Sequence, residues 1–327
     1  MAKALFFRFY LHSGLILSLL FYSCQEKSFT EREFIPERLP ELLNKDTDST
    51  IFISRSIIIS DKGKVRDTLF SYSVFEKLLE NMVKSGRFLF VPVNELNSTF
   101  SKDKVIIALR HDIDYDIPSS VRFARREHKL GIRGTYFVLH TAEYYSRTSA
   151  LNERYFKYIN SSSIRKPEVL EYLKKIQNDY NHEIGWHNDL VTLQVVYNID
   201  AGRYLSEELE WLRSNNIVIE GTSSHGSEYC YKYHYLNAFF WKNFAQDNFF
   251  KHNEYAIVDG VYKKIVKHSL SDFGFKYESN LLGYNRYYAD AFKVDNKPWH
   301  LKMLNWDSLI PGDKILIILH PARWDSF

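Results

Sequence analysis

Apolar residues recur along this chain in two rhythms, and the two rhythms alternate. Short apolar-rich runs at 51–59, 88–93, 105–109, 132–140, 183–187, 217–220 and 314–319 read as strands. The β-branched run at 105–109 is of the kind buried on both faces in parallel sheets. Between such runs the apolar positions fall three or four apart: Phe75, Leu78, Leu79 and Met82; Val169, Leu173, Ile176 and Tyr180; Leu205, Leu209 and Leu212. That spacing lays a single stripe along a helix. Ser73 and Glu76 are spaced as a capping box, Gly86 and Gly131 mark helix ends, and Pro167 suits a first turn. Residues 119–130 read as a further helix. Strand and helix therefore alternate, which predicts an α/β fold built on a parallel sheet or barrel. Residues 141–166 show no period and read as a long loop. From Tyr229 to Trp306 the pattern blurs into aromatic-rich segments. There Tyr229, Tyr231, Tyr233 and Tyr235 alternate, so on a strand they share one face, as a sugar-stacking surface or as a packed insertion.

The amino terminus follows a different rule. Lys3 and Arg8 precede a short apolar run from Gly14 to Tyr22, ending at Cys24 with polar residues directly after. This has the form of a lipoprotein signal over residues 1–24, with Cys24 as the lipidation site. Residues 25–50 are polar and Pro-containing, a tether, and the fold is expected over 51–327 with a lead-in at 51–104. These features imply a membrane-anchored protein of the cell envelope, facing outside the cytoplasm. A length of 327 residues allows one large barrel, and two cysteines give no disulfide framework. A formal charge of +3 without a basic run argues against nucleic acid as a partner. The 23 Tyr, 24 Phe and 6 Trp suit either sugar-binding surfaces or a large core.

Chemistry gathers at the carboxyl ends of the predicted strands. The first central strand ends in Arg110, His111, Asp112, Ile113 and Asp114, with Asp116 beyond. Asp112 and Asp114 are two apart, so on an extended chain they leave from one face. Two such carboxylates suit a metal ligand and a general base; equally, an Asp-rich turn at Asp116 to Pro118 caps the next helix. The strand at 183 ends in Trp186, His187, Asn188 and Asp189. The one at 217 runs into His225 and Gly226, and the last ends in His320. Imidazole and carboxylate at one rim are the ligand set of a catalytic zinc or related ion. His140 also ends a strand and reads as structural.

These residues resemble the motifs of the polysaccharide deacetylases, metal-dependent hydrolases on a distorted (β/α) barrel of about seven strands. The resemblance runs from Ser73 to the end. The stretch 108–114 is similar to the first motif in its Asp-x-Asp form, His182 to His187 to the second, and 318–321 to the last. It implies Asp112 as the base that activates water and His320 as the acid that protonates the leaving amine. It further implies Asp114 and His187 as ligands of a divalent metal, zinc first, and an N-acetylated glycan as substrate. Arg110, Trp186, Tyr229 and Trp324 are the expected substrate-binding residues, with Arg110 also placed to orient Asp112. Two departures stand out. The second motif normally carries another His where Val191 stands, and the third, normally Arg-x-Pro-Tyr, is here Ser223 to Ser227. His225 is the candidate third ligand, with Asp189 next; His225 touching substrate instead remains open. So do two other readings, a non-catalytic glycan-binding or assembly lipoprotein and a hydrolase of another C–N bond.

Overall fold

The computed structural model describes residues 57–59, 65–67, 70–145, 165–244, 253–291, 293–294 and 297–324. The expected signal segment, Cys24 and the expected tether lie outside the described residues, as does most of the expected loop at 141–166. β1 (Ile57–Ile59) and β2 (Val65–Asp67) pair antiparallel. α1 (Tyr72–Lys84) is capped by Ser71, whose hydroxyl accepts from the Val74 amide at 3.3 Å. The helix thus starts two residues before the expected box at Ser73. Gly86, at φ +67°, ends it in the left-handed region that glycine enters without penalty.

There follow β3 (Phe88–Val91), β4 (Val105–Ile113), α2 (Ile117–Lys129) and β5 (Thr135–Leu139). α3 (Glu168–Lys174) is continued by a π turn through Asp179 and leads to β6 (Glu183–Asn188). Next come α4 (Leu190–Val195), α5 (Ala201–Ser214), β7 (Ile219–Ser224) and α6 (Glu228–Tyr233). β8 (Tyr255–Val258) and β9 (Val261–Lys264) form a separate hairpin. The chain ends with β10 (Tyr277–Glu278), β11 (Arg286–Ala289), the short pair β12 (Lys293–Val294) and β13 (Lys297–Pro298), and β14 (Lys314–Leu319).

One wholly parallel sheet organises the molecule, in the order β10-β7-β6-β5-β4-β14-β11. β3 pairs with the first half of β4, as far as Ala108, and β5 takes over that edge from Arg110. The sheet curls. Tyr277 from one end and Tyr287 and Ala289 from the other share a cluster with Ile106, Ala108, Phe137, Leu316 and Ile318. The opposite face, with Ile107, Leu109, Tyr136, Ile184, Ile315 and Ile317, packs against the helices. Among the described residues β10 and β11 do not pair with each other, so the barrel is distorted and open. Close approach inside it requires glycine at Gly221, where a Cβ would lie 2.0 Å from the Tyr277 ring. Along β4 the inward positions run Ile106, Ala108, Arg110, Asp112: apolar at the base, charged at the mouth.

Behind the sheet, Glu127 on α2 is fully buried. It accepts from Tyr136 Oη at 2.8 Å and faces His111 Nε2 at 2.7 Å. A buried carboxylate keeps its charge only through such partners, and leaving partners of this kind unmatched costs about 3–5 kcal/mol. Glu127→Ala is therefore expected to lower unfolding free energy by that order in urea titration. A change under about 0.5 kcal/mol would mean that the network contributes nothing.

Glu183, at the base of the barrel, accepts from Thr135 Oγ1 at 2.6 Å, the Asn94 amide at 3.2 Å and Tyr277 Oη at 2.8 Å. Burial outweighs these bonds and pushes its carboxyl up to about 7. A carboxyl raised on folding contributes stability below its unfolded value, lost as pH rises through the folded one. Between about pH 5 and 8 wild type should lose stability that Glu183→Gln does not. Identical slopes of unfolding free energy against pH in the two proteins would exclude this.

Candidate active site

The carboxyl ends of β4, β6, β7, β11 and β14 bring six side chains together. Asp112 and Asp114 leave β4 on its inward face, as their spacing predicts. Asp116, one turn further, caps α2 by accepting from the Ser119 amide at 3.3 Å. The helix cap and the carboxylate pair are thus both present, on different aspartates.

His187 Nε2 lies 3.4 Å from Asp112 Oδ2 and 3.5 Å from Asp114 Oδ1. Its Nδ1 is 3.0 Å from the Ser223 carbonyl, which only accepts, so Nδ1 carries the proton and Nε2 is turned to the carboxylates. One ligand atom each from Asp114, His187 and His225 lies within 4.8 Å of the others. His320 Nε2 closes the far side, 3.6 Å from Asp114 Oδ2.

Each neighbour of this cluster is itself held. Arg110 clasps Asp112 through both oxygens, Nε to Oδ1 at 2.8 Å and Nη2 to Oδ2 at 2.7 Å. Its Nη1 donates to Ser279 Oγ and Asn280 Oδ1. Burial opposes the Asp112 charge, but Arg110 and then His187 hold its carboxyl below the usual range. His320 Nδ1 makes a short contact with Asp290, which also accepts from the His320 amide at 2.8 Å and Trp324 Nε1 at 3.2 Å. Burial alone would lower His320, yet Asp290 raises it to about 9. His225 is raised to about 9 against the same opposition, by Asp189, whose Oδ2 lies 3.4 Å from its Nδ1. Asp189 is in turn held by Thr141, Thr192 and Asn237. It orients His225 and has no oxygen left over for a ligand role.

The residues fit a divalent cation. One carboxylate and two imidazoles are a catalytic-metal donor set, and an open position beside them is the usual arrangement. Asp114 Oδ1 is buried without a hydrogen bond. With His187 Nε2 lying within 3.5 Å of both it and Asp112, the converging oxygens and nitrogen suit a shared positive charge between them.

Some expected site residues stand elsewhere. Trp186 is 0% exposed and stacks on His140, since odd positions of β6 face the barrel and even ones face the helices. Trp324 is 1% exposed, packed on Phe70, Phe75 and Phe123. Neither offers a ring to a sugar. Arg110 is equally buried, its guanidinium committed within the protein, so it positions Asp112 and does not touch substrate. Tyr229 sits on the helix α6, not on a strand, against Tyr197 and Tyr233. Val191 is fully buried in the apolar core. His182 bonds the Gly134 amide and the Ala124 carbonyl behind the sheet. His140, pushed down to about 3 by burial, accepts from the Asp189 amide as a structural residue.

Sequence reading missed Asp290. Its signal is the alternation of buried Tyr287 and Ala289 just before it: a strand end like the others, hidden in the aromatic-rich segment.

No family model matches this sequence, and no curated protein matches it. A solved structure of a family 4 carbohydrate esterase from Bacillus anthracis is similar over 82% of this chain and 82% of that one, at 11% sequence identity and a TM-score of 0.28. So loose a likeness leaves the fold and the site to stand on the geometry above.

Proposed function

We propose that this protein is a metal-assisted hydrolase that removes acetyl groups from an N-acetylated polysaccharide or cell-surface glycan. One observation carries the reading: the Asp114, His187 and His225 cluster is flanked by a carboxylate fixed by arginine and an imidazole fixed by aspartate. Asp114, His187 and His225 would hold the divalent ion, zinc first, whose chemistry here is Lewis-acid polarisation of the acyl carbonyl. Asp112, kept ionised by Arg110, orients the attacking water and accepts its proton. His320, whose protonated form is favoured by Asp290, gives its proton to the departing amine nitrogen. The glycan as substrate rests on the order of the sequence motifs, from Asp112 and Asp114 through His187 to His320. Acetate release from N-acetylated oligosaccharides by the purified full chain, with and without a chelator, tests the reading. No release at any metal concentration overturns it.

The cell-envelope location follows from the amino-terminal pattern, with Cys24 as lipid anchor and the barrel held at the membrane by the polar tether. Among the described residues no helix is long and apolar enough to cross a membrane. Cys24→Ser should abolish lipid labelling and membrane retention in fractionated cells; unchanged retention and unchanged mature mass would rule the anchor out.

A further inference from the structure

Glu278 ends β10 and is 1% exposed, yet no step of the proposed chemistry uses it. Its carboxylate ties the end of β7 to the turn after β10. Oε1 accepts from the Ser224 amide at 3.2 Å and from Asn280 Nδ2 at 3.0 Å. Oε2 accepts from the Asn280 amide at 2.8 Å. Burial pushes the carboxyl up to about 7, with Arg110 opposing. A carboxyl raised on folding contributes stability below its unfolded value, lost as pH rises through the folded one. Near neutral pH its charge therefore works against the fold, and stability does not explain its place.

Two routes run from this carboxylate into the site. The first passes through Asn280. With its Nδ2 turned to Glu278, its Oδ1 is left to accept from Arg110 Nη1 at 3.3 Å. Arg110 in turn clasps both oxygens of Asp112. The second route is the peptide between Ser223 and Ser224. Its N–H donates to Glu278, and its C=O faces His187 Nδ1 at 3.0 Å. The N–H and C=O of one trans peptide lie in a single plane and point opposite ways, so fixing one fixes the other. Resting on the hydrolase reading of the site, we propose that Glu278 is a positioning residue for both halves of it. Through Asn280 and Arg110 it aims the base Asp112. Through one peptide plane it holds His187 in the tautomer that turns Nε2 to the carboxylates. Partners that orient a metal ligand in this way are worth about 10- to 100-fold in metal affinity or activity.

The test compares two variants of the full chain. Glu278→Gln keeps the shape but turns an amide NH₂ toward groups that are themselves donors. It should lower kcat for acetate release from N-acetylated oligosaccharides by about 10- to 100-fold, with KM unchanged. It should also weaken zinc binding to the metal-free protein, read by calorimetry, by about 10-fold or more. Asn280→Ala cuts the first route alone, so kcat should fall by about 10-fold while zinc affinity keeps its wild-type value. A mere loss of packing would instead move both readings in both variants. If Glu278→Gln does not fold, Asn280→Ala still reads the route to Asp112, and wild-type kcat there overturns that route. Wild-type kcat and zinc affinity in Glu278→Gln, or equal falls in zinc affinity in both variants, overturn the proposal and leave the hydrolase reading intact. Absence of acetate release by wild type overturns the hydrolase reading, and the zinc titrations then decide the route to His187 by themselves.

Discussion

Asp112→Asn is expected to lower hydrolysis of N-acetylated oligosaccharides by about 10²-fold or more, because it removes the proposed proton acceptor at nearly constant shape. From sequence alone the same change should cost little stability. The structure reverses that expectation. Arg110 is 2% exposed and both Asp112 oxygens accept from it, so the substitution leaves a buried guanidinium without its counter-charge. Breaking such a pair costs about 3–5 kcal/mol, and a clear fall in thermal midpoint should accompany the loss of activity. His320→Gln separates the two effects, since it removes the acid without stranding Arg110. Wild-type rates of acetate release in both variants would end the hydrolase assignment.

His225→Ala is expected to weaken divalent-ion binding by about 100-fold or more, because the proposed three-ligand site would fall to two. Zinc titration of the metal-free protein by calorimetry is the measurement. Adding histidine at the position where the resembled motif has one should not restore binding. Val191 lies on α4 within the apolar core, so Val191→His would bury an imidazole away from the cluster. Unchanged zinc affinity in His225→Ala, with a raised KM, would move His225 from the metal to the substrate.

Much of this site is legible in the sequence, for a simple reason. Strand position and side-chain direction are local properties. A β-branched run at 105–109 with polar residues at its carboxyl end already places Asp112 and Asp114 together, since extended backbone alternates faces. The same logic put His187, His225 and His320 at one rim, because parallel strands end on the same side of a sheet.

What failed was whatever depended on a partner distant in sequence. Trp186 and His187 are adjacent, yet one lies under the helices and the other in the barrel mouth; only the curl of the sheet says which face is which. Four alternating tyrosines would share one face on a strand or else belong to a packed insertion; α6 forms there because Cys230 and Tyr233 bury against the core at helical spacing. Asp290 waits 30 residues before His320, in a stretch whose pattern was blurred by aromatics serving both faces. Arg110 is the clearest division. Its place beside Asp112 is legible in the sequence. That its charge is buried and shared with Ser279 and Asn280 follows from the turn after β10 packing against it, contacts 169 and 170 residues away that no local pattern encodes.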